Sequence, residues 1–123
     1  MAEQLLNEHL EVNLNHFYDE MNATSARLGL SGSNWCVSHG LANKDNYSTA
    51  LDIAKLSRAA LSRHKLLQEI VCTKTYSTQS WIDRSYLYTW KNTNKLLWVS
   101  DPDGIYLGVK TGVTGSAGPC LSV

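Results

Sequence analysis

The chain has 123 residues, 43% of them hydrophobic and 18% charged, with eleven basic side chains balancing eleven acidic ones. That length bounds it at one domain, and a formal net charge of zero argues against the basic surface that nucleic acid or an anionic membrane calls for. No apolar run reaches the length that spans a bilayer, so neither a nucleic-acid partner nor a membrane span is expected.

The first element is a helix. Leu6, Leu10, Leu14, Phe17, Met21 and Leu28 recur at helical spacing and line one face. "LGLSGSNW" ends it, because Gly29 accepts the left-handed C-cap conformation and the Ser-Gly-Ser-Asn run extends a helix poorly. Residues 35–47 read as a loop with a short extended piece. A second helix is expected from Ser48 as N-cap, with Asp52 in its first turn, running on to about Leu67. Ile53, Leu56, Ala60 and Leu61 face inward in this reading, and Lys55, Arg58 and Arg63 outward. From about Ile70 the chain is rich in β-branched and aromatic residues, and "IVCTKTYST" and "SYLYTWKN" read as two strands. "NTNKLLW" is a tight turn or short helix and "SDPDG" a turn. "IYLGVKTG" and "AGPCLSV" are two further strands.

The start of the chain, "MAEQLLNEHL", has no basic n-region and no continuous apolar h-region, so no signal peptide is read. Cys36, Cys72 and Cys120 are odd in number and widely spaced, which favours reduced thiols in an intracellular setting over a disulfide framework. Cys36-x-x-His39 has metal-like spacing but no second ligand pair follows. No metal and no cofactor are expected. Asn22-Ala-Thr24 and Asn46-Tyr-Ser48 fit the glycosylation sequon and are read as chance.

Four patterns then occur in order: Ser38-His39-Gly40-Leu41; Tyr47-Ser48-Thr49-Ala50 with Asp52 and Ala54; Asn92-Thr93-Asn94-Lys95-Leu96-Leu97; and Gly108-Val109-Lys110-Thr111-Gly112-Val113-Thr114 with Ala117-Gly118 and Cys120-Leu121. Each is weak by itself. As an ordered set they resemble the serine-type D-alanyl-D-alanine carboxypeptidases, the low-molecular-weight penicillin-binding proteins, over nearly all of residues 5–123. The resemblance implies an α/β (α+β) penicillin-binding protein/serine β-lactamase-like fold. Here that fold would be partial, with helices on an incomplete antiparallel sheet, and residues 1–123 would be one partial catalytic domain. It implies acyl transfer through a serine ester, with Lys110 catalytic and Thr111, Gly112 and Val113 binding substrate. A threonine hydroxyl can bond the terminal carboxylate of a peptide, and a glycine lets the substrate backbone approach a strand edge. By the same resemblance the Val113 N–H is an oxyanion-hole donor, while "HGL" is scaffold.

Two motifs of that family, S-x-x-K and S-x-N, precede its counterpart of the first helix and are not found at that place here. Ser62-Arg63-His64-Lys65 has the right letters, but it sits on the helix after "YSTA", where the family keeps no nucleophile. Ser31-Gly32-Ser33-Asn34 is equally out of order. Two readings follow. One is a fragment or subunit of such a carboxypeptidase, with a peptide substrate and a nucleophile supplied from elsewhere. The other is a catalytically inactive homologue acting as a structural or interaction subunit, with protein partners that could complete the sheet. The family's usual export to the cell envelope stands against the intracellular reading, which leaves localisation open.

Overall fold

The computed structural model describes the backbone of residues 2–100 and 106–123 and, within these, the side chains from residue 13 onward. Two compact units divide the chain, Met1–Ala59 and Ala60–Val123.

The first unit opens with α1, Ala2–Arg27. Its helix stop is a Schellman motif. Gly29 adopts φ +68°, Leu30 N–H donates to Ser25 O at 2.9 Å, and Gly29 N–H donates to Ala26 O at 3.1 Å. Among the described side chains the apolar stripe is covered toward this end: Leu30 is buried and Met21 and Leu28 are half-buried, whereas Leu14 and Phe17 are exposed.

The loop after α1 is held by side chains that imitate backbone. Asn22 Oδ1 accepts from Trp35 N–H at 2.9 Å, while Asn22 Nδ2 donates to Trp35 O at 2.7 Å and to Tyr18 O at 3.0 Å. The Trp35 indole donates to Ser25 Oγ at 2.6 Å. Asn34 and Tyr47 form an antiparallel bridge, which is the short extended piece expected in this loop. His39 Nδ1 accepts from Leu41 N–H at 3.0 Å across Gly40, whose φ is +72°, so the imidazole closes its own turn.

The next helix, α2, spans Ala50–Arg63. Its N-cap is Thr49, not Ser48: Asp52 N–H donates to Thr49 Oγ1 at 3.1 Å, and the Ser48 hydroxyl lies 2.8 Å from that of Ser33. Asp52 does more than complement the helix dipole. It is 2% exposed, and its Oδ2 accepts from Gly32 N–H and from the Ser33 hydroxyl, both at 2.8 Å. Ser33 first, then the Gly32 N–H and the Lys55 ammonium, hold the Asp52 carboxyl below its ordinary range. One carboxylate thus fastens the loop to the start of α2.

The second unit begins with the last turn of α2 and differs from the expected elements at both ends of the next segment. The helix does not run on smoothly. His64 takes an extended conformation (φ −126°, ψ 92°) and a separate helix, α3, covers Lys65–Cys72. Ile70, Val71 and Cys72, expected in a strand, are therefore helical. Asn92 explains why the helix can reach that far. Its Nδ2 donates to Val71 O at 3.3 Å and Thr73 O at 3.1 Å, satisfying carbonyls at a helix end that would otherwise lack donors.

Among the described residues four strands follow: β1 Thr75–Gln79, β2 Leu87–Lys91, β3 Lys110–Thr114 and β4 Gly118–Ser122. They form two separate antiparallel pairs, β1–β2 and β3–β4, giving an α+β architecture. In the first pair Tyr76 faces Trp90, and Tyr86, Tyr88 and Trp90 alternate along one face with ring centroids 4.9 and 5.6 Å apart. In the second, Lys110 faces Ser122, Thr111 faces Leu121 and Gly112 faces Cys120. Between the pairs lies a short 3-10 helix, Lys95–Trp98, capped by Asn94 Oδ1 accepting from Leu96 N–H at 3.0 Å. The turn expected over 100–104 lies, except for Ser100, outside the described residues. The strand expected from Ile105 starts only at Lys110, because Gly108 at φ +77° breaks the extended run before it. Cys120, expected in the core, is exposed. Among the described residues no helix is long and apolar enough to cross a membrane.

Candidate functional site

Lys110, Thr111, Gly112 and Val113 occupy the first four positions of β3. Among the described residues β3 has one partner strand, so its second edge keeps unpaired main-chain groups. Lys110, Gly112 and Val113 are exposed and Thr111 is half-buried. A Cβ built on Gly112 would meet nothing within 4 Å, so the space over this residue is open.

Thr111 is tied to the segment before the 3-10 helix. Its hydroxyl lies 2.6 Å from the hydroxyl of Thr93, a short O–H···O hydrogen bond in which either can donate. Thr93 stands between two asparagines that spend their side chains on backbone. Asn92 N–H donates to Lys74 O at 2.8 Å, and Asn94 N–H donates to Asn92 Oδ1 at 2.9 Å. The Trp98 indole donates to Asn92 O at 3.4 Å. The backbone on both sides of Thr93 is thereby fixed. Asn94 is buried at 3% exposure, and its Nδ2 finds no acceptor among the described residues. Gly108 packs against this amide: a Cβ there would come within 3.2 Å of Asn94 Nδ2 and 2.9 Å of Val71 O.

These residues border a cavity of about 270 Å³ lined by Lys91, Asn92, Thr93, Lys110 and Thr111, among others. Two lysines and two threonines are among its lining residues, and none of those described is Asp or Glu. The Lys110 ammonium donates to the Thr111 carbonyl, and the Lys91 ammonium sits 4.6 Å from the centroid of the Trp98 ring. A site with this donor surplus favours an anion over a cation. A second, more apolar cavity of about 490 Å³ shares Ile70, Lys91 and Asn92 with it and adds Tyr76 and Trp90.

Sequence reasoning placed the four consecutive residues of β3 together, and missed the two contacts that frame them, Thr93 to Thr111 and Asn92 to the end of α3. The signal for the second was the Asn-x-Asn pattern, whose asparagines suit bonding to backbone, whereas nothing in the chain signals the first. The out-of-place serine motifs gain physical content. Ser62 lies in the last turn of α2 while Lys65 begins α3, so the break at His64 denies them the shared face of one continuous helix. Ser33 is committed to Asp52.

Comparison with known proteins gives the family and the fold. Residues 3–123 match the model of the D-alanyl-D-alanine carboxypeptidase family, peptidase family S11. The chain is 33% identical over 108 residues to the D-alanyl-D-alanine carboxypeptidase of Streptomyces sp. strain K15, covering 85% of this chain and 36% of that protein. It is 32% identical over 113 residues to D-alanyl-D-alanine carboxypeptidase DacA of Haemophilus influenzae, covering 92% of this chain and 26% of that protein. The crystal structure of the Streptomyces K15 DD-transpeptidase superposes with a TM-score of 0.71 at 34% identity, over 85% of this chain and 40% of that one. The chain therefore spans between about a quarter and about a third of the length of these curated relatives. An ordered set of motifs, an α+β fold shared with a DD-peptidase and a match over nearly every residue place this chain in the D-alanyl-D-alanine carboxypeptidase family, of whose domain it is a part.

Proposed function

We propose that residues 1–123 form part of a penicillin-binding-protein-like catalytic domain and carry the substrate-binding edge of a serine-type acyl-transfer site for peptides ending in D-alanyl-D-alanine. The observation that carries this reading is the cavity beside β3, bordered by Lys91, Lys110, Thr93 and Thr111 without a described carboxylate. In this reading the Thr111 hydroxyl donates to the C-terminal carboxylate of the peptide. The open space over Gly112 admits the peptide backbone alongside β3, where main-chain groups pair with it as an added strand. The Val113 N–H stabilises the developing oxyanion, and the Lys110 ammonium biases proton transfer at the reacting centre. The acylated serine and its base come from outside residues 1–123, in the same polypeptide or in a partner.

A second reading is favoured by a different observation. Trp81 and Ile82, in the connection between β1 and β2, are 99% and 100% exposed, and the aromatic face of that hairpin is also open. Apolar surface of this kind marks interaction sites, which supports a homologue without activity that serves as a structural subunit. A fluorescent penicillin separates the two. Added to the chain together with the proteins that co-purify with it from its source, it is expected to label a serine of the assembly covalently. An assembly that contains the chain and takes up no label overturns the enzymatic reading and leaves the structural one.

A further inference from the structure

The chemistry of Thr93 follows from counting protons. Each threonine hydroxyl has a single proton to donate and two lone pairs to accept with. The proton in the 2.6 Å bond can belong to either partner. An ionised carboxylate only accepts. If Thr111 gives its proton to such a ligand, the bond to Thr93 survives only when Thr93 is the donor. The arrangement then becomes a one-way chain, Thr93 to Thr111 to carboxylate, in which each bond polarises the next.

The surrounding geometry suits that task. Asn92 and Asn94 are fastened on either side of Thr93 by bonds of 2.8 to 3.1 Å to Lys74 O, Thr73 O, Asn92 Oδ1 and Leu96 N. The Thr93 backbone therefore need not be ordered when a ligand arrives. Thr93 and Thr111 are also both β-branched, which restricts their χ1 rotation and keeps the two hydroxyls in register.

We infer that Thr93 is a positioning residue for carboxylate recognition: its hydroxyl donates to that of Thr111 and makes the site select a free peptide carboxylate over a neutral terminus. The inference rests on the reading of Thr111 given above. A C-terminal amide offers both a donor and an acceptor, so it binds with either proton order and gains little from Thr93.

The test is a titration of the chain with an acetylated peptide ending in D-alanyl-D-alanine, as the free acid and as the C-terminal amide, followed through the NMR amide signals of β3. Thr93→Val is expected to weaken the acid by about threefold to tenfold and to leave the amide within about twofold. Thr93→Ser, which keeps the hydroxyl, is expected to restore the native acid-to-amide ratio. Loss of packing would weaken both peptides in parallel, so the ratio isolates the hydroxyl. An unchanged ratio in Thr93→Val, or a Thr93→Ser protein that behaves like Thr93→Val, overturns the inference. Should Thr111→Val abolish the preference for the acid while Thr93→Val does not, Thr93 alone loses its role. Should the unaltered chain show no preference for the acid, the carboxylate reading of Thr111 fails, and the role of Thr93 with it.

Discussion

In residues 1–59 the polar groups around Asp52 consume one another, whereas in residues 60–123 those around Thr111 border open space. The first cluster is closed. Asp52 is buried, its carboxylate accepts from Gly32 and Ser33, and the Ser33 hydroxyl also meets that of Ser48. The second cluster is anchored on one side only. Asn92 is held by backbone partners, yet Thr93, Thr111, Lys91 and Lys110 line a cavity. Burial without spare capacity is the mark of a scaffold, and donors held in place with capacity left over are the mark of a site.

The comparison breaks most easily at Asp52. Asp52→Ala leaves the Gly32 N–H and the Ser33 hydroxyl without their acceptor, and the melting temperature is expected to fall by about 5–10 °C. Peptide binding in the second unit should stay within about twofold for the fraction that remains folded, as read by the same NMR titration. A stable Asp52→Ala protein would show that the closed cluster is not what fastens the loop.

A smaller effect is expected where the second unit is itself tightly built. Gly108→Ala forces a side chain into φ +77°, against Val71 O and the Asn94 amide, and should cost about 1–3 kcal/mol in denaturant unfolding. It should also perturb the amide signals of Lys110 and Thr111, because Gly108 sets the start of β3.

The smallest effect is a pH dependence. The Ser33 hydroxyl holds the Asp52 carboxyl below its ordinary value of 3.8, so the group binds a proton more weakly folded than unfolded. Its contribution to stability is present above about pH 4 and is lost as pH falls through the lower, folded value. Melting temperatures followed down the acid limb should therefore fall, and Asp52→Asn should flatten that limb. An identical limb in the variant would remove Asp52 as its cause.

Much of this was legible in the residues. Gly29 within "LGL" announced the left-handed helix stop, and "NTNKLLW" read as a tight turn or short helix. The ordered motifs pointed to the family before any coordinate. The elements that were misread share a physical cause: distant partners overrode local preference. Ile70-Val71-Cys72 has strand composition, yet it is helical where Asn92, twenty residues on, supplies donors to the helix end. Asp52 looked like a residue suited to the dipole of its own helix, and its main partners lie in a loop about twenty residues earlier. At the site, adjacent residues on β3 were readable because they are consecutive. The bond between Thr93 and Thr111 was not, because it crosses eighteen positions and no pattern in the chain encodes it.

The central claim is that the cavity beside Lys110 and Thr111 recognises a peptide carboxylate. Its most direct measurement is the affinity of the unaltered chain for an acetylated D-alanyl-D-alanine peptide as free acid and as amide, compared under the same conditions. Binding of the acid at least about tenfold tighter than the amide is the predicted result, as expected when a charged acceptor meets fixed donors. Equal affinity for the two, or a preference for the amide, would contradict the account.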